Sequence, residues 1–70
     1  MNNEYIKYLE QLENMRHTQS SELVSFIKMF DWNEGYQTRI NIIIDETDRK
    51  IKLLNKKYNK VIEEVIKEQE

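Results

Sequence analysis

His17 is the only histidine in the chain, and two carboxylates precede it at helical spacing: Glu13 four residues before and Glu10 three before that. Residues three and four apart share one face of a helix, so this trio is the nearest approach to a metal-binding cluster. A carboxylate-bridged di-metal centre uses Glu-x-x-His together with further inward-facing glutamates. Here the Glu-to-His step is one residue too long, and all three side chains are expected to face water. Ser20 and Ser21 lie within about a turn of His17, but no oriented carboxylate completes a nucleophile–base–acid relay. The chain has one glycine and no cysteine, which removes a glycine-rich phosphate loop and a thiolate nucleophile or ligand. A helical chain this small offers no deep pocket. We expect no enzymatic activity, no metal and no cofactor.

A second chemistry is electrostatic. Arg49, Lys50, Lys52, Lys56, Lys57 and Lys60 form a basic stripe with no acid between them, and Tyr58 lies inside it. Such a stripe along a helix suits a phosphate backbone. Three features count against it. The net charge is −2, from 11 basic and 13 acidic side chains. Glu63 and Glu64 follow directly. In an antiparallel arrangement Glu10 and Glu13 would also lie across from the stripe and could pair with it. Nucleic acid is therefore the alternative partner rather than the leading one.

The elements that carry these residues are legible from periodicity. Ile40, Ile44, Thr47, Ile51, Leu54, Tyr58, Val61 and Val65 follow one another at alternating steps of four and three, the seam of a long helix packed lengthwise on another. An N-terminal seam runs through Tyr5, Leu9 and Leu12, meets polar Arg16 and Gln19, and recovers in phase at Leu23, Phe26 and Phe30. Asn2 or Asn3 can cap this first helix, with Glu4 in its first turn. The chain contains no proline, so long uninterrupted helices are permitted.

The run Arg16–Glu22 has two readings: a break with Ser20 or Ser21 capping a new helix, or a polar layer within one helix. Recovery in phase favours continuity. Asp31-Trp32-Asn33-Glu34-Gly35 reads as the turn, with Gly35 at positive φ as a helix C-cap. These signals give one all-α domain over residues 1–70: a helix at about 3–31, a turn at about 32–35 and a helix at about 36–68. The expected fold is an antiparallel two-helix hairpin pairing into a dimeric four-helix bundle. The alternative is a three-helix bundle broken near residues 18–21. Arg16 and Gln19 are expected to meet Thr47 in a polar layer across the pair.

A single core in so short a chain is worth only ~3–5 kcal/mol, and without cysteine no disulfide supplements it. A further helix pair would. Apolar residues also exceed a narrow seam: Ile6, Tyr8, Met15, Val24, Ile27 and Met29 on the first helix, and Ile42, Ile43, Leu53, Ile62 and Ile66 on the second. One neighbouring helix cannot cover stripes this wide, and exposed apolar patches normally mark protein interfaces. The candidate interface comprises Trp32, Tyr36, Ile42, Ile43, Leu53, Ile62 and Ile66. For Trp32 and Tyr36 the favoured reading is a cap folded over the end of the core, against Phe30 and Ile40.

The function expected is a small protein-interaction module, an adaptor or modulator that pairs with itself and with a larger protein. The longest apolar run is Ile42–Ile44, far short of the ~20 residues of a membrane span, so a cytoplasmic location and no membrane partner are expected. Abundant Asn, Lys and Ile suggest an AT-rich coding sequence of bacterial or phage origin.

Overall fold

The computed structural model describes residues 2–29 and 35–69. Among them are three helices, α1 (Asn3–Met29), α2 (Tyr36–Lys57) and α3 (Asn59–Gln69), and no strand. Of the expected turn only Gly35 is among these residues; Phe30 and Trp32 lie outside them.

Asn2 starts α1. Its side-chain oxygen accepts the backbone N–H groups of Glu4 at 3.0 Å and Tyr5 at 3.2 Å, satisfying two donors that the first turn leaves open. Glu4 favours the positive end of the helix dipole and pairs with Lys7 at 3.6 Å. From there α1 runs unbroken through residues 16–22. The alternative with a break near residues 18–21 is therefore not adopted. Gln, Arg and Glu are good helix formers, and the serines stay on exposed positions where they compete little with the backbone.

The third helix arises elsewhere, at Tyr58, whose φ of −102° and ψ of 17° leave helical geometry for one residue. Hydrogen bonds still cross the irregularity, from Tyr58 N–H to the Leu54 carbonyl at 3.1 Å and from Ile62 N–H to the Tyr58 carbonyl at 3.0 Å. The expected single helix over about 36–68 is thus two helices, α2 and α3, joined at Tyr58 with hydrogen bonding carried across the junction. Asn59, a weak helix former, begins the new segment, and the Tyr58 side chain is anchored to α1.

α1 packs antiparallel to α2 and α3. Phe26 lies on Tyr36 with ring centroids 5.4 Å apart, while Tyr8 lies on Tyr58 at 5.7 Å. The molecule measures 49 × 19 × 16 Å, the size of two helices side by side. Its core has two clusters. Tyr8, Leu54 and Tyr58 form one, with Tyr5, Leu12, Met15, Val61 and Ile62 around them. Phe26, Tyr36 and Ile43 form the other, with Leu23 and Ile40. Thr47 and Ile51 are also buried.

This register differs from the expected seam by one residue at three places. Tyr8 is buried and Leu9 exposed, Met15 packs inward and Arg16 is exposed, and Ile43 is buried while Ile44 is exposed. At about 100° per residue, neighbours compete for the same stripe. A guanidinium at the contact would lose its water, so Met15 wins over Arg16. Tyr8 wins because its hydroxyl finds a partner there.

The expected polar layer does not assemble. The Arg16 guanidinium donates to Gln19 on its own helix at 3.5 Å, at the surface. Buried Thr47 donates its hydroxyl to the Ile43 carbonyl at 3.3 Å, satisfied within α2. Gly35 departs from expectation too: its φ is −80°, and it serves as the N-cap of α2 rather than a left-handed C-cap. Glycine is accepted at that position, and its carbonyl takes the Arg39 N–H at 3.1 Å.

Candidate interaction surfaces

The groups with catalytic or metal-binding potential sit at the surface. Glu10, Glu13, His17, Ser20 and Ser21 are all exposed. Glu13, His17 and Ser20 border one open hollow with Asn14 and Arg16. Among the described residues, no group of three or more His, Cys, Asp or Glu side chains is placed to hold a metal ion.

The basic stripe is exposed along its whole length. Thr47, Leu54 and Tyr58 point inward from α2 and its junction with α3. By the helical repeat Arg49, Lys52, Lys56 and Lys60 therefore project from the opposite side. Lys57 lies against the Tyr58 ring, its Nζ 5.6 Å from the centroid, a weak cation–π contact at an exposed site. The expected pairing with Glu10 and Glu13 is not formed: among the described residues the one ion pair is Glu4–Lys7. Arg49, Lys52, Lys56 and Lys60 face away from those carboxylates, whereas Lys50 borders the groove between α1 and α2.

The candidate apolar interface divides. Tyr36 and Ile43 are buried in the chain's own core, so they are withdrawn from any partner. Ile62 is half-buried against the cluster around Leu54. Ile42, Leu53 and Ile66 remain exposed, Leu53 at 69%. Leu53 stands among the cations of the stripe, with Arg49 one turn before it and Lys56 and Lys57 one turn after. Trp32 lies outside the described residues.

Sequence reasoning missed Leu9 and Ile44, both placed in the seam and both exposed. Val24, Ile27 and Met29 are exposed as well, as their position outside the seam implied. No described side chain reaches full burial, because two helices cannot surround any residue.

One flank of the helix pair carries a groove of mixed character. Ser21, Glu22 and Ser25 of α1 face Arg39, Ile42 and Glu46 of α2 across it, with Phe26 and Ile43 also lining it, and it continues past Asn14, Thr18 and Lys50. The groove residues Asn14, Glu22, Ser25, Ile42, Glu46 and Lys50 each directly precede an inward-facing one. Leu9, Ile27, Ile44 and Ile66 each directly follow one, and so belong to the opposite flank.

Among the described residues no helix is long and apolar enough to cross a membrane. No protein-family model, curated protein or solved structure matches this chain.

Proposed function

We propose that this chain is a small non-enzymatic protein-interaction module, a helical hairpin that pairs into a dimeric four-helix bundle and acts as an adaptor or modulator of a larger protein. The observation that carries the reading is the surplus of exposed aliphatic side chains. Leu9, Val24, Ile27, Ile42, Leu53 and Ile66 are each more than 40% exposed. Scattered apolar residues are ordinary on a surface, but these recur along helix faces beside a core with no fully buried side chain. A second helix pair on the apolar flank would complete that core. Ile42, which borders the groove between α1 and α2, and exposed Leu53 lie off the apolar flank and would remain for the larger partner. The cysteine-free composition suits a reducing cytoplasm.

An affinity pull-down from native lysate tests the reading, run with and without nuclease. A protein partner retained after nuclease treatment and lost in Ile42→Asp or Leu53→Asp supports it. Capture that survives both substitutions contradicts the assigned surface.

A second reading, a small nucleic-acid-binding regulator, draws on the stripe Arg49–Lys60, whose cations are exposed and form no ion pair among the described residues. The overall negative charge works against it, since the long-range field would repel a polyanion. Recovery of nucleic acid that disappears on nuclease treatment would favour this reading.

A further inference from the structure

Resting on the reading of the chain as a self-associating module, we propose that two copies pair through α1, antiparallel, about a twofold axis at Arg16–His17. The surface used is the apolar flank of α1: Ile6, Leu9, Val24 and Ile27. Each directly follows a residue packed at or against the core (Tyr5, Tyr8, Leu23 and Phe26), so all four are rotated the same way out of the contact with α2. Leu9 is 42% exposed, Val24 51% and Ile27 46%. The residues that directly precede the core positions, among them Lys7, Asn14, Glu22 and Ser25, are all polar. α1 therefore has one polar and one partly apolar flank.

The apolar flank is palindromic. Ile6 and Ile27 are equidistant from the midpoint between Arg16 and His17, as are Leu9 and Val24, and Glu13 and Ser20. A twofold-related interface is self-complementary by necessity, and this order supplies that property. Antiparallel pairing about the midpoint sets Ile6 against Ile27 of the second copy and Leu9 against Val24 of the second copy.

Charge selects the direction. A parallel pairing would match the apolar residues equally well, but it would set Glu13 against Glu13 and Arg16 against Arg16. The antiparallel pairing brings Glu13 of each copy within about a helical turn of Arg16 of the other, giving two reciprocal ion pairs. Neither residue has an ion-pair partner within the chain among the described residues. The outer face of α2 stays uncovered, so self-pairing and capture of another protein are compatible.

The absence of cysteine makes the test clean, since each introduced thiol is unique. Leu9→Cys/Val24→Cys and Leu9→Cys alone are oxidised at micromolar concentration, with helicity checked by circular dichroism and mass by light scattering. The double variant is expected to form a covalent dimer. Leu9→Cys alone is expected not to, because the two Leu9 positions are separated by about 22 Å along the axis at ~1.5 Å per residue. Ile6→Cys/Ile27→Cys provides a second pair if the first loses helicity. Efficient cross-linking of Leu9→Cys alone overturns the antiparallel register. A folded dimer in which neither pair cross-links overturns the α1 interface but leaves the interaction-module reading standing. A folded monomer that still captures a protein overturns self-pairing alone, and loss of both self-association and capture overturns the underlying reading.

Discussion

The hydroxyl of Tyr8 donates to Oδ1 of Asn55 across the contact between α1 and α2, and a turn further along α1 Gln11 Nε2 donates to the Tyr58 hydroxyl at 2.9 Å. Each tyrosine lays its ring in the core cluster and ties its polar tip to the opposite helix. Apolar packing alone lets two helices slide by a turn at modest cost. Two directional bonds, a turn apart on α1, oppose that slide.

Tyr8→Phe keeps the ring and loses one partly buried bond, and an intramolecular hydrogen bond contributes about 0.5–1.5 kcal/mol. Tyr58→Ala removes the ring from a cluster that also holds Leu54 and Tyr8, and large-to-small changes of this kind cost about 3–5 kcal/mol in a full core. In so thin a core the lower end is expected. Urea denaturation of the two variants should rank them in that order; equal losses would show that the ring contributes little.

Thr47→Val tests the buried hydroxyl. Thr47 bonds only within its own helix, so the change removes the donor and leaves no orphaned donor or acceptor on the facing helix. A change within about 1 kcal/mol is expected, toward greater stability with Gln19→Leu added, because apolar groups of similar shape replace polar ones. A larger loss in thermal denaturation would mean that Thr47 holds a partner across the bundle.

Much of this architecture was legible in the sequence, and the exceptions share a cause. The Asn2 cap, the helical character and the continuity of α1 followed from capping chemistry and in-phase periodicity. The choices between Tyr8 and Leu9, Met15 and Arg16, and Ile43 and Ile44 did not, because a one-residue shift preserves the same 4-3 spacing. Side-chain chemistry across the contact settled them: the Asn55 acceptor for Tyr8, and the cost of desolvating Arg16. The irregularity at Tyr58, whose hydroxyl accepts from Gln11 on α1, leaves no mark in the 4-3 periodicity. Gly35 followed a cap rule at the wrong helix end, since glycine is accepted at both. For the candidate surface, width of the apolar stripe marked Ile42, Leu53 and Ile66, whereas Tyr36 and Ile43 turned inward with the register.

Replacing Asn2 by Ala removes both side-chain bonds to the first turn of α1. A lost N-cap costs about 0.5–2 kcal/mol, here with fraying of the turn that carries Tyr5. Faster amide hydrogen exchange at Glu4 and Tyr5 is expected; unchanged exchange would show that the cap is replaceable by water.

Changing Lys52, Lys56, Lys57 and Lys60 together to Glu breaks no ion pair seen among the described residues. Helicity should persist with only a small change in melting temperature. The unaltered protein is expected to bind duplex DNA weakly or not at all at about 150 mM salt. Each phosphate contact would otherwise add about one unit to the salt-dependence slope. Sub-micromolar DNA binding abolished by the four reversals, with the fold intact, would promote the nucleic-acid reading.

In the proposed dimer the exposed aliphatic flank is completed by association. Size-exclusion chromatography with light scattering at micromolar concentration measures this most directly. The expected mass is about twice the 8.6 kDa of the chain, falling to a single chain in Leu9→Glu/Val24→Glu. A wild-type chain that remains a folded monomer of 8.6 kDa at these concentrations would contradict the proposed pairing.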